Sequence, residues 1–123
     1  MGRYGCAAMG LLLAATSAQA AQTVSERMAD CAGLMQAASD WALYEEDGAR
    51  MREASDRWLA ASVDRARAEG AHYPDFQAVS MQGDAVSAWR AVGPEAAGSE
   101  AFRIMAQACR VLDRDLGLGI YTP

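Results

Sequence analysis

Apolar side chains along this chain recur at steps of three and four, and four stretches carry that rhythm. In the last of them, Phe102, Met105, Cys109, Leu112 and Leu116 share one face. Arg103, Gln107, Arg110, Asp113 and Arg114 fall mostly on the others, which predicts an amphipathic helix over 99–116 with Ser99 as its N-cap. The first stretch opens with Thr23-Val24-Ser25-Glu26, a capping box in which the threonine hydroxyl and the glutamate satisfy free backbone N–H groups. Met28, Cys31, Met35, Ala38 and Ala42, flanked by Leu34 and Trp41, then predict a helix from about Val24 to Glu46. Gly33 weakens it slightly, and Asp47-Gly48 marks a break or kink.

The second stretch, Ala49 to Glu69, is the most charged. Its inner face is Met51, Ala54, Trp58, Leu59, Val63 and Ala66. Arg52 with Asp56, Glu53 with Arg57, and Arg65 with Glu69 stand at i,i+4 on a solvated face, each pair contributing about 0.3 kcal/mol. Gly70 suits the C-terminal cap. The third runs from Pro74 to Val92 with Phe76, Val79, Val86 and Trp89, and Gly83-Asp84 offers a point at which it splits in two. Gly93-Pro94 ends it, and Pro94 to Gly98 forms a connector or an extra turn. The tail LGLGIYTP has no helical period; it packs over an edge or frays. With no sustained strand alternation and no internal repeat, the expected fold is all-α, a four-helix bundle.

The N-terminus changes the setting of that bundle. MGRYGCAAMGLLLAATSAQA has one charge, Arg3, then an apolar run of about ten residues, too short for a membrane span of about 20, and ends Ala18-Gln19-Ala20. This is the pattern of a cleaved signal peptide, residues 1–20, leaving 21–123 as a single helical domain exported to the periplasm or beyond, with no membrane anchor. Neither Cys6 nor Cys31 follows the apolar run as a lipid-bearing cysteine would.

Cleavage also removes Cys6 and Arg3. Two cysteines remain, Cys31 and Cys109, in a compartment where disulfides persist. Joining the first helix to the last would close a loop of nearly eighty residues, a gain of about 4 kcal/mol on loop-entropy arithmetic. The redox and zinc alternatives need a Cys-x-x-Cys pair or further close ligands, which are absent. The basic residues of the chain are all arginine; ten remain against sixteen acidic side chains, a net charge near minus six. That balance, spread along the chain, argues against nucleic acid or anionic lipid as a partner.

Few residues suggest chemistry. His72 is the lone histidine, and an enzyme here would depend on it; a histidine in a turn between helices reads first as a surface residue. The c-type haem motif is missing, as are metal-ligand spacings, so no cofactor or metal is expected. Glu45-Glu46-Asp47-Gly48, laid on an EF-hand loop, puts Leu43 and Ala54 at the end-ligand positions and fails there. Asp113-Arg114-Asp115 fails similarly, with Gly117 at the next ligand position, and both runs read as solvated helix ends. Trp41, Trp58 and Trp89 lie one to each of the first three helices, with Phe102 on the fourth. These aromatics fill a small core or, on a second reading, line a pocket for an apolar ligand between helices. The expectation is a non-catalytic protein-interaction module (an inhibitor, immunity protein, chaperone or accessory subunit) whose partner is another protein. A small apolar-ligand binder stands as the alternative.

Overall fold

A computed structural model of the chain describes residues 22–122; the signal peptide expected at residues 1–20 lies outside them. Among the described residues there are four α-helices and no strand: α1 (Val24–Asp40), α2 (Glu45–Ala68), α3 (Pro74–Val92) and α4 (Glu100–Leu116), with a 3-10 turn over Pro94–Gly98. The arrangement is consistent with a helical bundle.

The ends form by the expected local chemistry. The Thr23 hydroxyl accepts from the Glu26 N–H to start α1, and the Ser99 hydroxyl accepts from the Phe102 N–H to start α4. Gly70 and Gly117 both have positive φ just past a helix end, and in each case the next residue donates back five positions: Ala71 N–H to the Ala66 carbonyl, and Leu118 N–H to that of Asp113.

One boundary differs from expectation. α1 stops at Asp40, not Glu46, and Asp47-Gly48 lies in the first turn of α2. Three carboxylates, Glu45, Glu46 and Asp47, would face the negative pole of a dipole at the end of α1. At the start of α2 they meet the positive pole. Gly48 fits under the turn, where a β-carbon would stand 3.3 Å from the Ser39 carbonyl oxygen. The third helix does not split: Gly83 sits inside a continuous α3, with open space around its Cα. Of the three expected ion pairs on α2, Glu53–Arg57 (2.7 Å) and Arg65–Glu69 (3.4 Å) close, and Arg52–Asp56 does not.

α1 is the centre of the assembly. It touches all three other helices and buries Ser25, Met28, Ala29, Ala32, Gly33, Leu34 and Ala37 as well as Cys31. Small residues let the neighbours come close. At Gly33 a β-carbon would meet the Ala85 β-carbon at 2.5 Å and the Gln82 carbonyl oxygen at 2.8 Å, so the α1–α3 approach depends on glycine there. Two buried serines of α2 fix its register. The Ser62 hydroxyl donates to the Ser25 carbonyl (2.8 Å) and that of Ser55 to the Ala32 carbonyl (2.7 Å), a seven-residue step on both antiparallel helices. Gln82 of α3 donates to Ser55 (3.0 Å), which ties three helices through one hydroxyl.

At the other end of α1, the Ser25 hydroxyl and N–H donate to the Glu69 carboxylate. Partial burial alone would raise the Glu69 pKa. The Ser25 hydrogen bonds and the Arg65 guanidinium outweigh it and hold the carboxyl below its ordinary value. The C-terminal end of α2 thereby caps the N-terminal end of α1.

Candidate functional site

Cys31 and Cys109 form a disulfide between α1 and α4, with Cα atoms 5.8 Å apart and both side chains buried. Such a bond belongs to an oxidising compartment. α4 lies chiefly on α1, and the stripe that carries Cys109 also buries Leu112 and half-buries Phe102 and Met105.

The four aromatics separate into two groups. Phe102 meets Trp41 and Trp89 edge-on, with ring centroids 6.1 and 5.6 Å apart, where α1, α3 and α4 come together. Trp58 is fully buried elsewhere in the core and donates its indole N–H to the Tyr121 hydroxyl at 3.1 Å.

The tail is packed. Ile120 is buried, its N–H donates to the Asp113 carboxylate (2.9 Å), and Arg57 donates to the carbonyls of Ile120 (3.2 Å) and Thr122 (2.9 Å). Asp113 is therefore a tail clamp and not simply a solvated helix end. Sequence periodicity has no means of showing this, because the contact joins a helix to an aperiodic segment.

By crossing from α4 to α2, the tail closes one end of a groove of about 700 Å³ between those helices. Its floor is apolar, with Met35 of α1, Met51 and Ala54 of α2, Phe102 and Ala106 of α4, and Ile120. Its rim is charged. Arg50 pairs with Asp47 and Arg57 with Glu53, while Arg110 has no carboxylate within salt-bridge distance among the described residues. Burial raises the Tyr121 phenol above its ordinary 10, the Asp113 carboxylate adds to the rise, and the Trp58 hydrogen bond and Arg110 oppose it. The phenol therefore keeps its proton at neutral pH, and with Trp58 already donating to its oxygen, that proton is free to be given. Of the four aromatics proposed to line a pocket, Phe102 contributes to this groove.

His72 is exposed, in a shallow hollow of about 340 Å³ with Tyr73, Phe76, Gln77, Ser80 and Met81. Among the described residues no hydrogen bond or ion pair joins it to a carboxylate. Among the described residues no three of His, Cys, Asp and Glu stand where they could share a metal ion. No helix there is long and apolar enough to cross a membrane.

The outer face of α3 has few charges. Phe76, Val79, Ser80, Gly83, Ser87, Ala88, Ala91 and Val92 are all exposed, with Phe76 at 75% and Val79 at 56%, against three exposed charges, Asp75, Asp84 and Arg90; Tyr73, just before the helix, is at 76%. On α2 the exposed positions include Arg52, Glu53, Asp56, Asp64, Arg65 and Arg67. Phe76 and Val79, two of the residues that carry the apolar period of α3, are thus on its outer side. The uncharged run from Phe76 to Gln82, beside a charged second helix, is the signal that marks a surface. No known protein family, no curated protein and no solved structure matches this chain.

Proposed function

We propose that this chain is an exported, non-catalytic protein-interaction module that docks its partner on the outer face of α3. The observation that carries this reading is that face: Tyr73, Phe76 and Val79 stand in water on a helix whose exposed charges are Asp75, Asp84 and Arg90, the last already paired with Asp40. Aromatic anchors amid small uncharged residues are what the centre of a protein interface uses, and a helix with no partner there would carry charge instead. Export is supported by the leader pattern of residues 1–20 and by the disulfide. The single domain 21–123 is read as a four-helix bundle acting in the periplasm or outside the cell.

The test places a photo-crosslinking amino acid at Phe76 and, as a control, at exposed Ala60 of α2, in the full-length chain expressed in its own host. A discrete adduct at Phe76 that is missing at Ala60 is expected, on a chain whose mass starts at Ala21. Equal adducts at both positions, none at either, or an adduct of twice the chain mass would overturn the reading.

A further inference from the structure

The groove between α2 and α4 is built differently from the α3 face. Its floor is apolar and includes two methionines, side chains that adapt to an irregular guest. Its volume, about 700 Å³, is that of a small-molecule site. On α2 it spans Asp47 to Arg57, about 15 Å at the rise of an α-helix, and the tail blocks one end. A guest of small-molecule length fits this enclosure better than a continuing polypeptide.

The charge of the rim selects among such guests. The chain as a whole is acidic, with a net charge of −5, yet three guanidiniums meet two carboxylates in the groove's lining, each carboxylate already has its own arginine, and the Asp113 carboxylate near Tyr121 is taken up by the Ile120 N–H. Arg110 is left over, and beside it Tyr121 has a hydroxyl proton to give. A guanidinium and a phenol at one apolar groove match a carboxylate, which accepts from both.

We propose that this groove binds a small amphipathic carboxylate, its head on Arg110 and Tyr121 and its hydrocarbon body on Met35, Met51 and Phe102. Met35 and Gly33 are two residues apart on α1, so the groove and the α3 contact lie on nearly opposite sides of that helix. The site is thus independent of the α3 docking face, and either can fail alone.

The probe is dodecanoate, titrated below its micelle-forming concentration into the disulfide-bonded mature chain and followed by calorimetry and amide NMR. Saturable one-to-one binding is expected, with shifts at Met51, Phe102, Ala106 and Tyr121. Acetate should not bind, and dodecyltrimethylammonium should bind at least about tenfold more weakly. Arg110→Gln should weaken dodecanoate about tenfold, the size of one charge-assisted contact, and leave dodecanol unchanged. Because Arg110 is exposed, the substitution leaves the core intact, and an unchanged circular dichroism spectrum checks that. Ala106→Trp, which fills the groove, should abolish binding of both. Lack of saturable binding, equal affinity for the cationic detergent, or an Arg110→Gln variant as good as the parent would overturn the proposal. So would shifts confined to α3.

Discussion

Replacing Gly33 by alanine sets two known quantities against each other. Alanine in a helix interior is favoured over glycine by about 1 kcal/mol. By propensity alone, Gly33→Ala should stabilise α1. The packing says otherwise. The new methyl carbon would stand 2.5 Å from the Ala85 β-carbon, 2.8 Å from the Gln82 carbonyl oxygen and 3.2 Å from the Val86 nitrogen, where carbon atoms normally rest about 3.5–4.0 Å apart. Two of those three atoms are backbone, so no rotamer change relieves the contact, and α1 and α3 must move apart by about 1 Å. Overpacking of this kind costs about 1–3 kcal/mol. The shift also pulls Gln82 from Ser55, which holds the Ala32 carbonyl.

Gly83→Ala is the internal control. It is the same substitution in the middle of a helix, but nothing lies within 4 Å of the new carbon, so the propensity gain of about 1 kcal/mol stands unopposed. Urea unfolding followed by tryptophan fluorescence and circular dichroism measures both. Gly83→Ala is expected to raise the midpoint. Gly33→Ala is expected to lose about 1–2 kcal/mol net, or about 5–15 °C in Tm for a domain of this size. If Gly33→Ala matched or exceeded the parent, the close approach of α1 and α3 would be refuted.

Replacing both Cys31 and Cys109 by alanine should cost about 2–4 kcal/mol, since the bond closes a separation of 78 residues; hydrogen exchange should show α4 losing protection before α1, α2 and α3, and uniform loss would count against α4 being the peripheral helix. Glu69→Gln bears on pH. Because Glu69 has a pKa below its usual 4.5 in the folded chain, the stability it adds is present above that value and disappears as pH falls through the lower folded one. The parent should therefore be more stable than Glu69→Gln at pH 7, with the gap in chemical-denaturation free energy closing toward pH 3, and a gap that is constant with pH would contradict the Ser25 contact.

The parts of this structure that could be read from the sequence are those decided within a few residues. Thr23 and Ser99 had to be caps because a free hydroxyl three residues before a free N–H has little else to do. The Cys31–Cys109 bond followed from having two cysteines on apolar stripes once Cys6 is set aside with the expected signal peptide. The boundary between α1 and α2 was missed because the apolar period runs past Asp40 without a glycine or proline to stop it. The carboxylates at 45–47 held the answer through their sign, since the dipole of α2 takes three negative charges where that of α1 would repel them. The serine contacts were not legible at all. Ser55 and Ser62 donate to carbonyls 23 and 37 positions away, and a hydroxyl in a helix can serve its own backbone just as well.

The amphipathic pattern misled about centrality for a related reason. α4 has the cleanest two-sided sequence, and α1 one of the least regular. A helix with one neighbour buries one stripe and leaves water everywhere else, so its polar residues fall into a clear opposite face. A helix touched from three sides has no face left for charge, and its sequence from Cys31 to Ser39 turns into alanine, glycine, serine, one glutamine and a few larger apolar residues with no charge at all. The period blurs because burial surrounds the helix. The same geometry explains the position of the groove: α4, fastened to α1 along a single stripe and by one disulfide, leaves its flank toward α2 uncovered, and only the tail, held by Asp113 and Arg57, reaches across. The open side of the molecule is therefore a consequence of how narrow the α4 stripe is, and widening that stripe would close the site that Arg110 guards.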